Sequence, residues 1–185
     1  MRKTPWAPHR LDVEAFAKGG ARIDQTLPLA SLPRLSEGLA VPVDAAAEPV
    51  VWSAQGAWSR APGDVQARAR IHLQARPRVW MTCQRCLQPM AVPLEVDRTL
   101  CFVDGEDEAA RLDEERDDED VLASSRAFDL VGLLEDELIM ALPLVPRHET
   151  CPQSLPWSAG PELEDDAAAA PAHPFAALAA LKTKD

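Results

Sequence analysis

Two short motifs carry most of the chemistry that this sequence offers. Cys83-Gln-Arg-Cys86 and His148-Glu-Thr-Cys151 each place two soft donors three residues apart. One turn of chain can aim such a pair at a single point. Together they supply three thiolates and an imidazole, a donor set that suits tetrahedral zinc, with bonds of about 2.3 Å to sulfur and about 2.0 Å to nitrogen. The pairs are 62 residues apart, so one structural zinc would clip two distant stretches of chain. Four protein ligands leave no open coordination position, which points to a structural ion rather than a catalytic one. Two other readings stay open. Cys83 and Cys86 could be buried thiols at a strand end, with His148 and Cys151 in an unrelated loop. Alternatively, the CxxC could be a redox pair, although that motif normally opens a helix in a βαβ unit, and here Pro89 and β-patterned residues follow. Cys101 lies in a strand pattern and reads as a small core residue.

Arginines form the second constellation. Arg60, Arg68, Arg70, Arg76, Arg78 and Arg85 fall within 26 residues that hold one acid, Asp64. Arg68 and Arg70 share the polar face of an alternating strand. Such a face beside Trp52, Trp58 and Trp80 could meet RNA phosphates and stack bases. Arg68, Arg70, Arg76, Arg78 and Arg85 are therefore candidate RNA-binding residues. The competing reading is a solvated sheet face whose arginines pair with neighbouring acids, with the tryptophans in the core. Glu135, Asp136 and Glu137 diverge by ~100° each around a helix, so they do not converge on one point and read as its wet face.

The elements that would position these groups can be read along the chain. Asp12 caps a short helix over 11–18 that ends at Gly19-Gly20. Leu32, Leu35 and Leu39 fit one face of a second helix with Pro33 in its first turn. Strands are expected at 50–58, 65–75, 78–83 and 90–103. The clearest is 65–75, where six apolar residues alternate with five polar ones, the pattern of a strand buried on one face. Short connections between consecutive strands favour an antiparallel sheet. The run 104–121 is so acidic and so poor in apolar residues that it reads as a long mobile loop. Asp129 caps a further helix through Leu130, Leu134, Leu138 and Ala141, and Pro143 stops it. The expected architecture is α+β: a β-rich antiparallel sheet with short flanking helices and a long acidic loop. The expected organisation is one globular domain over 1–151, with a loose Pro-, Ala- and acid-rich tail over 152–185. That tail ends in a short helix through Phe175, Leu178 and Leu181.

Composition narrows the function classes. The net charge of -11 is uneven, because the run 104–120 alone holds 11 acids and two arginines. Eight glycines against 17 prolines argue against phosphate-cradling loops. There is no Walker loop, dinucleotide fingerprint, GxSxG or HExxH, so no catalytic residue is assigned. No apolar core of a secretory signal follows the N-terminal basic residues, and no run reaches the ~18 apolar residues of a membrane span. The expected location is the cytoplasm, with no membrane partner.

The ordered pieces CQRCLQPM at 83–90, LCFVDG at 100–105, the acidic run, FDLVGLLEDELIMALPLVPRHETC at 128–151 and HPFAALAALK at 173–182 resemble the YceD family of large ribosomal RNA subunit accumulation proteins. The most specific piece is EDELIMALPLVPRH. The resemblance implies a non-enzymatic role in synthesis, processing or stability of 23S rRNA, with 23S rRNA or a pre-50S particle as partner. The competing function is a zinc-clipped adaptor that binds a basic ribosomal protein without touching RNA.

Overall fold

The computed structural model describes residues 6–40, 48–61, 65–116 and 119–152. All of its elements lie in the unit Met1–Pro152; the predicted tail and its helix fall outside the described residues. Asp12 accepts a hydrogen bond from the Ala15 N–H and starts α1 (Val13–Lys18), which buries Val13, Phe16 and Ala17. A turn with Gly20 at φ +54° leads to β1 (Arg22–Leu27). Pro33 occupies the first turn of α2 (Pro33–Glu37). Then come β2 (Val50–Ser59), β3 (Arg68–Ala75), β4 (Arg78–Thr82), β5 (Pro89–Pro93) and β6 (Val96–Val103). An acidic helix α3 (Glu106–Glu114), a strand β7 (Asp120–Ala123) and α4 (Leu130–Met140) complete the order, with Asp129 accepting from the Gly132 N–H to cap α4.

Five strands form one sheet in the order β1-β2-β3-β6-β7, and β4-β5 form a separate hairpin. The fold is α+β. One face of the large sheet carries the core: Trp52, Ala54, Ile71, Leu73, Leu100 and Phe102 pack with Leu11, Phe16, Leu32, Leu35, Leu130, Leu134 and Leu138. Gly56 is required where α1 meets β2, because a Cβ there would lie 2.7 Å from Phe16 Cδ1 and 2.8 Å from the Phe16 carbonyl oxygen. No helix among the described residues is long and apolar enough to cross a membrane.

Five expectations need correction. The stretch 90–103 is two strands, since the first half turns back on β4 and the second joins β3. The strand forecast over 65–75 starts only at Arg68, with Val65 90% exposed instead of on the buried face, and strand β1 had no forecast. The sheet is mixed, because β6 and β7 run parallel. Most consequentially, the acidic run is a helix and a strand instead of a long loop. Ala109 and Leu112 of α3 bury with Cys101, Val103 and Val121 in a second small cluster. Arg111 pairs with Glu108 and Glu115 along the helix. Three acids in the first turn also complement the helix dipole. The Val121 N–H donates to Asp113, tying the helix to the strand that follows.

Candidate metal centre

The hairpin β4-β5 ends in a tight knuckle. The Cys83 N–H donates to the Gln88 carbonyl and the Leu87 N–H to the Cys83 carbonyl, each at 2.9 Å. Leu87 completes the turn at φ 57°, a left-handed conformation that costs a non-glycine residue ~1 kcal/mol. The Gln84 N–H reaches the Pro146 carbonyl at 2.8 Å and draws the segment after α4 against the knuckle.

That contact brings all four predicted donors together. The ligand atoms of Cys83, Cys86, His148 and Cys151 lie within 4.8 Å of one another. Cys83 Sγ is 4.0 Å from Cys151 Sγ, and Cys86 Sγ is 3.4 Å from His148 Nδ1. A tetrahedron with zinc–sulfur bonds of about 2.3 Å has sulfur–sulfur edges of about 3.8 Å. The donor set and its spacing therefore fit a metal ion of that size. Cys83 and Cys86 are buried, and His148 and Cys151 are half-buried. All four cysteines, Cys101 included, are free thiols.

The site favours the thiolate at Cys83. Burial acts to raise the Cys83 pKa, but the backbone N–H groups of Cys86, His148 and Arg85 outweigh it and bring the thiol down to about 5. Cys86 moves the other way, raised by burial and by the neighbouring sulfurs of Cys151 and Cys83. Arg85 donates through Nε to Cys151 Sγ at 3.1 Å, and its Nη2 donates to the carbonyl oxygens of His148 and Glu149.

The five candidate RNA-binding arginines separate into three groups. Arg70 is buried: its guanidinium donates to both carboxylate oxygens of Glu119 at 2.7 and 2.8 Å and to the Ser59 carbonyl. Arg68, half-buried, lies 4.0 Å from Glu108. Both are on the polar face of β3, as the alternation predicts, but the acidic segment covers that face. Arg85 belongs to the thiol cluster. Arg76 and Arg78 remain exposed on or beside the hairpin, with Arg76 paired to Glu95 at 2.7 Å. Arg78, paired with Pro93, stands at the end of the hairpin away from the Cys83–Cys86 knuckle, whereas exposed Arg147, which the sequence did not single out, directly precedes His148. Of the tryptophans, Trp52 is buried, Trp80 is half-buried, and Trp58 is exposed beneath Lys18 Nζ at 4.4 Å.

The carboxylate triplet on α4 also departs from the wet-face reading. Glu135 is buried and accepts the N–H groups of Arg34 and Leu35, and Nε of Arg34. Asp136 takes the other end of the same guanidinium, and the largely buried Glu137 pairs with Arg98. His72 and Asp97, 2.6 Å apart across β3 and β6, form a pair that sequence distance concealed; His72 holds the Asp97 carboxyl below its ordinary range, with help from Gln74.

The family described as Large ribosomal RNA subunit accumulation protein YceD matches residues 71–182, more than half of the chain and all four thiol-cluster donors. The chain belongs to the YceD family. It is 40% identical over 106 residues to the large ribosomal RNA subunit accumulation protein YceD of Haemophilus influenzae (strain ATCC 51907 / DSM 11121 / KW20 / Rd). That alignment covers 56% of this chain and spans 60% of the relative's length. The family match starts inside β3, after Arg68 and Arg70. No solved structure matches the chain.

Proposed function

We propose that this YceD-family chain is a non-enzymatic cytoplasmic factor that supports synthesis, processing or stability of 23S rRNA. In this reading one structural zinc, held by Cys83, Cys86, His148 and Cys151, clips the β4-β5 hairpin to the segment after α4. The rigid lobe then presents Arg76, Arg78 and Arg147 to the phosphates of 23S rRNA or a pre-50S particle. The observation that carries the reading is the convergence of four donors inside the family-matched region, with exposed Arg147 next to them and exposed Arg76 and Arg78 at the other end of the same hairpin. Arg68 and Arg70 would contribute by fixing the acidic segment, a role that needs no RNA contact.

The test is genetic. Cells lacking the gene should accumulate less mature 23S rRNA and fewer 50S subunits, and a Cys83→Ser/Cys86→Ser copy should fail to restore them. Normal 50S levels in the null strain would overturn the proposal. The adaptor reading, binding to a basic ribosomal protein without RNA contact, is favoured by one feature: Glu106, Asp107 and Glu114 of α3 face solvent. It predicts that charge reversal on α3, and not on the hairpin, abolishes association with ribosomal precursors.

A further inference from the structure

Arg85 sits between the two cysteines of the knuckle, yet its side chain reaches the other ligand pair, 63 to 66 residues away. Its Nε–H points at Cys151 Sγ at 3.1 Å. Its Nη2 donates to two consecutive carbonyl oxygens, those of His148 and Glu149, the latter at 3.1 Å. One planar guanidinium thus grips the sulfur of one ligand and the backbone of the other. Lysine cannot reproduce this, because an ammonium is a point charge without a fixed fork.

We infer that Arg85 is a positioning residue of the metal centre: it assembles and neutralises the His148/Cys151 half of the site. This rests on the zinc reading above. Two physical effects combine. The segment 147–152 has no regular secondary structure, so something must hold its two donors in place before an ion arrives. The Gln84–Pro146 hydrogen bond, the His148 N–H donating to Cys83 Sγ at 3.4 Å and the Arg85 fork reach it from the knuckle, and the fork is the one made by a charged side chain. Charge is the second effect. Three thiolates and a neutral imidazole around a divalent ion leave one net negative charge, and Arg85 balances it from hydrogen-bonding distance of a sulfur. Partners that orient metal ligands in this way typically change affinity 10–100-fold when removed.

The inference reassigns Arg85 from the RNA-facing set to the metal centre. It also explains why a side chain exposed at the knuckle makes three inward hydrogen bonds when water was available.

The experiment uses the full chain. Zinc affinity is measured by competition with a chromogenic chelator for wild type, Arg85→Gln and Arg85→Lys, with folding checked by circular dichroism. Cobalt-substituted samples of each give the sulfur-to-metal charge-transfer band. Arg85→Gln should bind zinc 10–100-fold more weakly, with Arg85→Lys between it and wild type. The cobalt band of Arg85→Gln should move to lower energy, because a thiolate that loses an N–H donor gives up electrons more easily. A general loss of stability would not move that band. Equal affinity and an unmoved band in Arg85→Gln would overturn the inference while leaving the zinc reading intact. Arg85→Lys matching wild type would overturn it too, since charge without the fork would then suffice. A wild-type chain that takes up no zinc would sink both.

Discussion

At the residue scale, local spacing was legible and long-range pairing was not. The CxxC and HxxC motifs encode their own geometry within one turn, so all four donors could be named before their convergence was visible. The side-chain partners of Arg34, Arg70 and Arg85 lie 49 to 102 residues away, and nothing in composition selects them. For Arg85 a signal did exist, since a base between two ligand cysteines is well placed to serve them. Glu135 illustrates the cost of reading a helix by periodicity alone. Its carboxylate leaves the solvent because the first turn of α2 offers two N–H groups that need an acceptor. Glu135→Ala should therefore destabilise the protein by about 3 kcal/mol, by orphaning buried donors and one end of Arg34. Urea unfolding would show this as a lower midpoint, while Asp136→Ala, at the exposed end of the same guanidinium, should shift it much less. Cys151→Ser should leave the fold intact and reduce bound zinc per chain, read by elemental analysis after dialysis.

At the element scale, the helices with capping residues and the strands with period two were all foreseeable. The acidic segment was not, because two apolar side chains, Ala109 and Leu112, decide its fate among many charges. They act only because β6 and β7 provide Cys101, Val103 and Val121 to receive them. Strand β1 was missed for a related reason: RIDQTL is half polar, and its pairing with β2 is invisible locally. The pair Arg70–Glu119 closes the acidic segment over β3, with both side chains over 90% buried and Arg116 also paired to Glu119. Arg70 holds the Glu119 carboxyl below its ordinary value of 4.5, against the opposing effect of burial. A lowered pKa in the folded state stabilises above the unfolded value and loses that contribution as pH falls through the folded one. Stability measured from pH 6 downward should therefore begin to drop near pH 4.5 and continue falling below it. Glu119→Gln should be less stable at neutral pH by about 3 kcal/mol and flatter across that acid range.

At the scale of the whole molecule, the chain separates its charges. The acidic helix packs over the outer face of β6 and β7, while Arg85 and Arg147 lie at the thiol cluster and exposed Arg76 and Arg78 lie at the opposite end of the β4-β5 hairpin. A net charge of -11 repels nucleic acid at long range, so the proposed RNA contact through Arg76, Arg78 and Arg147 would have to be short-range. Zinc should matter to the fold as well as to the contact. Free zinc at a thousand times its dissociation constant adds about 4 kcal/mol to a fold that alone binds it. The melting temperature should accordingly fall when a chelator is added and recover with excess zinc. The measurement closest to the central claim is binding of the zinc-loaded chain to 23S rRNA fragments across a series of salt concentrations. The proposed function predicts affinity that falls steeply with salt, and a shallower slope, by about one unit, for each of Arg76 and Arg78 changed to serine. No binding at low salt, or binding indifferent to both salt and those substitutions, would contradict it.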